Sequence, residues 1–233
     1  MKNSLFACLR PRLLTLGLSV LLCSLAANTY AASRWYKVEV LVFKRLGAAE
    51  ATDEVWRNDV TLQYPQKRRW LHSGAEGKTA YKVLPKSTHR LGGHNYTLRK
   101  SEDYKVLFHQ AWQQPVTSKK HAASIIISGG ERLGEHKELE GSITLSVSRY
   151  LHLQTNLWLS SLAGANQSGA EESWPLLPNP ASEDRFDQAL TNNADIGRIV
   201  TLKQKRRMRS KELHYIDHPE MGLLILITPI KSS

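Results

Sequence analysis

Cysteine is nearly absent from this sequence, and it is missing wherever a folded core could use it. The chain has 233 residues and two cysteines, Cys8 and Cys23, which both lie in an apolar N-terminal segment. If that segment is removed, the rest of the chain can form no disulfide, thiol nucleophile, zinc–thiolate site or iron–sulfur cluster. Its stability must come from its own hydrophobic core, for which the length suffices as one domain or two small ones.

Recognisable catalytic motifs are missing too. The sequence contains no G-x-S-x-G, S-x-x-K or C-x-x-C motif and no phosphate-binding loop. These motifs mark common serine hydrolases, penicillin-binding enzymes, thiol oxidoreductases and P-loop nucleotide hydrolases. We therefore expect a protein that is not an enzyme and that uses no cofactor.

A hydrophobic run of membrane-spanning length is also absent. The first twelve residues include Lys2, Arg10 and Arg12 and no acid, the stretch 13–27 is apolar, and small residues follow. This run is shorter than the ~20 residues of a transmembrane helix, so it predicts a secretory signal peptide over residues 1–31. An uncleaved N-terminal anchor is the alternative. We expect a periplasmic protein of a Gram-negative bacterium, with no membrane span after cleavage.

Positive charge dominates what is present. The formal net charge is +11, and the three cations of the predicted signal peptide account for three units, so the exported part keeps +8. An exported basic protein meets phospholipid headgroups, lipopolysaccharide, teichoic acids and the carboxylates of peptidoglycan. Nucleic acid is a poor candidate partner outside the cytoplasm.

The hydrophobic patterns predict one α+β domain over residues 32–233, with irregular insertions at 46–97 and 163–186. Alternating or continuous apolar residues indicate strands, at 34–45, 122–127, 141–162, 199–217 and 223–230. Apolar residues at helical spacing in 101–114 predict the main helix. The expected architecture is an antiparallel sheet of about five or six strands with this helix packed on one face, for which a ferredoxin-like arrangement is one topology.

A dense group of polar residues near the C-terminus raises the question of a metal or catalytic site. The segment KELHYIDHPEMG holds His214, Asp217, His218 and Glu220. Asp and Pro are turn formers, and Gly222 can take positive φ, so a hairpin connection is favoured. The spacing matches neither HExxH nor the calcium-binding loop, so we expect no metal here.

Basic clusters are the more informative candidates for a binding site. KQKRRMRSK places six cations within residues 203–211. On a strand, Arg207, Arg209 and Lys211 would share one face at intervals of about 7 Å. Such a ladder could meet repeated carboxylates, or it could protect an edge strand against aggregation. Both readings stay open.

Two further groups complete the candidate ligand-binding residues. Arg149 falls on the apolar parity of the 141–162 strand, which indicates a bulge or an inward, paired arginine, and we favour the bulge. Lys67, Arg68 and Arg69 precede Trp70, whose ring could stack on a sugar or be partly buried in a loop. No residue is predicted to be catalytic or to bind a metal.

Four segments together resemble the CsiV family: WYKVEVLVFKR, YKVLFHQAWQQP, GSITLSVSRYLHLQTNLWL and RRMRSKELHYIDHPEMGLLILITP, in the expected order. The resemblance implies a periplasmic peptidoglycan-binding protein of γ-proteobacteria that takes part in cell-wall assembly and cell shape. It also implies support of a bifunctional class A penicillin-binding protein through that enzyme's outer-membrane lipoprotein activator, LpoA. The family brings no catalytic residues.

The function expected from the sequence is therefore a non-catalytic peptidoglycan-binding adaptor of cell-wall synthesis. A purely protein-binding periplasmic module without glycan contact is one alternative. A metal-assisted wall hydrolase that uses His214, Asp217, His218 or Glu220 is the other.

Overall fold

The computed structural model describes residues 34–47, 61–73, 80–162, 177–178, 190–191 and 196–230. The predicted signal peptide and most of the predicted 163–186 insertion lie outside these residues. The described residues are mostly β, with one α-helix, α1 (Gly92–Lys100), and one 3₁₀ turn, Lys86–Thr88. No helix in these ranges is both long enough and apolar enough to cross a membrane.

Strands make up most of the described chain. In chain order they are β1 (Arg34–Arg45), β2 (Arg68–Arg69), β3 (Lys82–Val83), β4 (Tyr104–Val116), β5 (Ser124–Leu133), β6 (His136–Val147), β7 (Leu151–Leu162), β8 (Leu177–Pro178), β9 (Leu190–Thr191), β10 (Ile196–Met208), β11 (Leu213–Asp217) and β12 (Met221–Pro229). The strand predictions at both ends, β1 and β12, are confirmed.

Ten of these strands form two sheets of five. Sheet I has the order β11-β12-β1-β4-β3, and every neighbouring pair is antiparallel. Sheet II has the order β10-β7-β6-β5-β2 and is antiparallel except between β2 and β5. The strands β8 and β9 pair with each other. The continuous apolar run of β12 fits its position between β11 and β1, because an inner strand is commonly buried on both faces.

The two sheets enclose one hydrophobic core. Both contribute buried side chains to a single cluster, which includes Val38, Val40, Val42, Trp112, Leu223, Ile225 and Ile227 of sheet I and Ile125, Ile143, Leu145, Leu153, Leu157, Val200 and Leu202 of sheet II. The sheets therefore pack face to face as a β-sandwich. Each such aliphatic side chain contributes about 1.5–3 kcal/mol when it is fully buried.

The prediction of a main helix at 101–114 is wrong, because this segment forms most of β4. The pairing of β4 with β1 shifts by one residue at Leu107, which is the extra residue of a β-bulge. Before the bulge, Val106 packs on the outer side of sheet I, whereas Leu107 and Trp112 lie in the core between the sheets. This change of parity within one strand produced the apparent helical spacing.

The α+β class and the ferredoxin-like arrangement are therefore corrected to a β-sandwich. Helix α1 buries no residue fully. It rests on the outer side of sheet I through Leu98, which packs against a small apolar cluster that includes Leu41, Phe43 and Leu91. A helix of this size covers part of one face and does not form the second layer of the domain.

The predicted single strand at 141–162 is a hairpin of β6 and β7. Val147 pairs with Leu151, and the three residues between them form the turn. Because the two paired residues have the same parity, the alternation of apolar residues continues through the turn and hides it. Arg149 lies exposed in this turn, so neither the bulge nor the inward arginine is correct.

The predicted hairpin at DHPEMG is confirmed, with β11 and β12 on either side of it. Gly222 is needed there for space. It pairs with Phe43, and a Cβ added to it would come within 2.3 Å of that ring. Its φ is not among the positive values of the described chain, so the conformational reason expected from the sequence is wrong.

An ionic cluster connects the two sheets at one end. Glu138 of β6 accepts hydrogen bonds from Lys44 of β1, from Lys105 of β4 at 3.1 Å and from the amide of Glu131 at 3.2 Å. Burial acts to raise the pKa of Glu138, but these donors outweigh it and hold the pKa below its ordinary value.

We expect Glu138→Gln to lower the free energy of unfolding at pH 7 by about 2 kcal/mol, because it removes charge-assisted hydrogen bonds. Because the pKa of Glu138 is lowered in the folded protein, its carboxylate stabilises the fold at pH values above the unfolded-state pKa. This contribution is lost as the pH falls through the folded-state pKa. Urea unfolding of the wild type between pH 7 and pH 3 should show this loss, and the variant should show less of it.

The control is Glu131→Gln, since Glu131 contacts Lys105 at 2.5 Å but its side chain is 73% exposed. This variant should lose under about 1 kcal/mol. Equal losses in the two variants would contradict a special role for Glu138.

Candidate functional site

A row of cations lies on the outer face of sheet II. In β10, Val200, Leu202 and Met208 point into the core, so the residues of opposite parity point outward. Among these are Lys203, Lys205 and Arg207, and all three are exposed. Side chains two positions apart on a strand are about 6.6–6.8 Å apart. We call this row, with the outward residues of β7 beside it (His152, Gln154 and Asn156), the cationic face.

Strand pairing places each cation next to uncharged hydrogen-bonding groups. Three rows cross the sheet: Lys203–Asn156–Ser142, Lys205–Gln154–Thr144 and Arg207–His152–Ser146. No acidic residue is a member of these rows. The cationic face therefore combines positive charge with amides, an imidazole and hydroxyls on a rigid sheet.

The β6–β7 turn adds an aromatic ring to one end of the face. The guanidinium carbons of Arg207 and Arg149 lie 4.6 and 5.6 Å from the centre of the Tyr150 ring, which is cation–π geometry. Tyr150 itself is 40% exposed. Two predicted site residues, Arg149 and Arg207, are thus brought together. Tyr150 was missed, and the one signal for it in the sequence was its position next to Arg149.

A polar hollow of about 480 Å³ lies at the other end of the face. It is lined by Thr61, Gln63, Tyr64, Pro65, Gln66, Asn156 and Lys203. The side-chain amide of Asn156 donates to the carbonyl of Gln63 at 2.9 Å, and Lys203 Nζ donates to the carbonyl of Thr61 at 3.1 Å. Partial burial lowers the pKa of Lys203.

The segment that walls this hollow is held by a second hydrophobic cluster. Leu62 and Tyr64 are buried against Ile126, Trp158 and Ile199 on the outer side of sheet II. The rings of Tyr64 and Trp158 are 5.0 Å apart. One wall of the hollow is therefore anchored to sheet II by packing, which suits a binding site.

The predicted ladder of Arg207, Arg209 and Lys211 is wrong in two of its members. The last pair between β10 and β7 is Met208 with Leu151, and β7 offers no partner beyond it. The chain therefore turns: Lys211 has φ 68°, and Arg209 lies 3.7 Å from Glu212 in an ion pair.

The basic group around Trp70 does not join the cationic face. Arg68 and Arg69 form β2, at the opposite edge of sheet II and roughly 19 Å from β10 at the usual strand spacing. Arg68 is buried and lies 5.8 Å from the ring of Trp70, which is half-buried. Lys67 Nζ donates to the carbonyl of His121 at 2.6 Å.

The polar residues of the β11–β12 hairpin each have a structural partner. Asp217 accepts hydrogen bonds from Arg45 at 2.7 Å and from Tyr215 at 2.5 Å. Burial and the neighbouring Asp217 raise the pKa of Tyr215 to about 12.

The other three polar residues of this hairpin have different partners. Glu220 is paired with Arg198, His218 Nδ1 accepts from the amide of Glu220, and His214 Nε2 contacts the backbone of Arg209. The four predicted candidates therefore do not form one site.

The outer side of sheet I carries a hollow of different chemistry. Its volume is about 480 Å³, and it is lined by Phe43, Gly93, His94, Thr97, Leu98, Tyr215 and Leu224. Its walls are mainly apolar, and Tyr96 and Leu213 are exposed on α1 and β11.

The chain is similar to a known family of proteins. A family model described as "Peptidoglycan-binding protein, CsiV" matches residues 13–230, nearly the whole chain. No curated protein and no solved structure matches the chain.

The contact between Lys203 and Thr61 gives a direct test of how the polar hollow is held. Lys203→Met keeps the aliphatic stem and removes the donor, so backbone amides of residues 61–66 should exchange with solvent about fivefold faster, as expected for the loss of about 1 kcal/mol. Hydrogen exchange measured by mass spectrometry checks this. Lys205→Met, on the same face, is the control and should leave this segment unchanged. Equal exchange in both variants would contradict the assigned contact.

Proposed function

Since this chain belongs to the CsiV family of peptidoglycan-binding proteins, we propose that it binds peptidoglycan through the cationic face of sheet II. The observation that carries the proposal is the row of Lys203, Lys205 and Arg207, which pairs across the sheet with uncharged polar residues alone. The family description supports a binding role, and we add to it the surface through which the protein would bind.

The chemistry of the face suits the polymer. Peptidoglycan combines stem-peptide carboxylates with the hydroxyl and acetamido groups of its sugars. Lysine and arginine form charge-assisted hydrogen bonds with carboxylates. Gln154, Asn156 and the amides of the polar hollow can hydrogen-bond sugar groups, and the Tyr150 ring offers an apolar surface for a sugar face.

The site of action in this proposal is the periplasm. The signal-peptide pattern at residues 1–31 supports export, and the net positive charge suits a polymer that carries carboxylates. Binding without catalysis is part of the proposal, because the four hairpin residues considered for a hydrolase are engaged with separate structural partners.

We further propose that the protein is an adaptor, which holds peptidoglycan with one surface and LpoA with another. Through LpoA it would support a class A penicillin-binding protein. The family resemblance motivates this partner. Binding of the wall through sheet II would leave the outer side of sheet I free for this second partner.

A protein-binding module without glycan contact is the second candidate. The apolar hollow on sheet I favours it, since exposed apolar surface is commoner in protein interfaces than in sites for polar glycans. Under this alternative the cations would protect the edge strand β10 against aggregation.

Cosedimentation with purified sacculi separates the two candidates. Residues 32–233 should pellet with sacculi at low salt and less at high salt, because screening weakens exposed charge contacts. The triple variant Lys203→Glu, Lys205→Glu, Arg207→Glu should bind at least tenfold more weakly, since each charge-assisted hydrogen bond contributes about 1.5–3 kcal/mol.

The matched control changes the same number of charges elsewhere. Lys100, Lys119 and Lys120 are exposed outside β10 and the rest of the cationic face, and their triple Glu variant should pellet like the wild type. Circular dichroism must show that both variants are folded. Wild-type protein that stays in the supernatant at low salt would support the protein-only module. Equal loss of sacculus binding in both triple variants would show that net charge, and not the cationic face, causes the effect.

The adaptor proposal has its own test. Purified LpoA immobilised on a sensor should bind the wild type and the cationic-face triple variant with the same affinity, because the two surfaces are separate. A variant that loses LpoA together with sacculi would place both partners on sheet II. Absence of LpoA binding by the wild type would overturn the partner assignment and leave peptidoglycan binding untouched.

A further inference from the structure

Two histidines and one glutamate meet beneath the start of helix α1. In the described part of the chain, Glu39, His89 and His109 each offer a ligand atom, and these atoms lie within 4.8 Å of one another. We propose that this cluster binds one divalent transition-metal cation, for which zinc is the best fit. It is separate from the cationic face, since Glu39 and His109 belong to sheet I.

Alternation along sheet I creates the cluster. Val38 and Val40 fill the core, so Glu39 projects to the outer side, where the segment before α1 covers it. His109 lies on the neighbouring strand β4. His89 ends the 3₁₀ turn that leads into the helix. Three distant parts of the chain therefore supply the three groups, and no sequence motif could reveal them.

The distances are close to those of a zinc site. His109 Nε2 is 3.0 Å and His89 Nδ1 is 3.9 Å from Glu39 Oε1. Ligand atoms about 2.0–2.2 Å from a tetrahedral zinc ion are roughly 3.3–3.6 Å apart. Small side-chain movements would bring the three groups to that spacing. Two imidazoles with one carboxylate are a common zinc donor set, with the fourth position left to water.

The glutamate is already held in place. The amides of Arg90 and Leu91 donate to its two carboxylate oxygens at 2.7 and 2.9 Å. Supporting donors of this kind orient metal ligands. A cation would replace the hydrogen bond from His109 and leave both amide contacts intact.

The second histidine distinguishes this cluster from a simple ion pair. His109 alone would satisfy Glu39, yet the ring of His89 is 4.7 Å from that of His109, and its Nε2 is buried without a hydrogen-bond partner among the described residues. A bound cation would engage Nδ1 of this ring, which lies 3.9 Å from Glu39 Oε1, and would leave its Nε2 as it is.

Three protein ligands and a water are the donor set of catalytic zinc, but the burial of this cluster leaves a substrate little access, so a structural role fits it better. Glu39 is 1% exposed, and the side chains of His89 and His109 are 5% and 10% exposed. A bound ion would connect β1, β4 and the entry to α1. We therefore expect the metal to fix helix α1 on the outer side of sheet I.

Metal titration of the untagged protein, stripped with EDTA and dialysed, tests the proposal. Cobalt(II) should give the visible absorption of a four-coordinate ion and saturate at one equivalent. Zinc should displace it. Zinc at 100 times its Kd should also raise the Tm by roughly 5 °C or more. Absence of both signals in the wild type would overturn the proposal whatever the variants do.

Substitutions locate the site. His89→Ala, His109→Ala and Glu39→Gln should each lose the cobalt spectrum and the zinc-dependent rise in Tm. The matched control is His136→Ala. His136 is a buried histidine 2.9 Å from Glu140, also with an unpartnered Nε2 in the described structure, but with only two groups present. It should lower the Tm and retain both metal signals. Signals that survive in folded His89→Ala and His109→Ala proteins would place the metal elsewhere.

Discussion

Alternation of side chains across two packed sheets is the constraint on which the molecule depends. Each residue that enters the shared core sends its neighbours to the opposite face. Because Val200, Leu202 and Met208 are buried, Lys203, Lys205 and Arg207 must lie outside. The same rule on β1 buries Val38 and Val40 and turns Glu39 outward. The cationic face and the histidine cluster both follow from how the core is filled.

The two outer faces of the sandwich have different chemistry as a result. Sheet I is partly covered by α1, and its outer side holds the buried Glu39 cluster and an apolar hollow. Sheet II is polar and positively charged along β7 and β10, and one end of it carries a separate small hydrophobic cluster. The two proposed partners, a wall polymer and a protein, would need these two kinds of surface, and an adaptor that uses one face for each would not have to release one to bind the other.

The cationic face is also rigid, which would matter for the specificity of the proposed binding. Its cations extend from a strand paired along its length with β7, and the segment that walls the polar hollow is held by Leu62 and Tyr64 in a hydrophobic cluster. Groups held on a sheet lose little further freedom on binding, so less of the interaction energy is spent on ordering them. A flexible basic tail of equal charge would bind anions with less regard to their spacing.

Local patterns determined a good part of this protein from the sequence alone: the strands β1 and β12, the hairpin at DHPEMG, the cysteine-free core and the family resemblance. They failed where the sheet face that a side chain occupies, or the direction of the chain, depends on a partner strand. The bulge at Leu107 looked like helical spacing, and the turn around Arg149 kept the parity of its flanking strands and so remained hidden. The end of β10 is decided by where β7 begins, so Arg209 and Lys211 seemed to continue a ladder that stops at Met208. Pairing between strands and packing between sheets are contacts of residues far apart in the chain. For that reason only the tertiary structure could place Lys203 and Lys205 on the cationic face, bring Arg149 to Arg207, and join Glu39, His89 and His109.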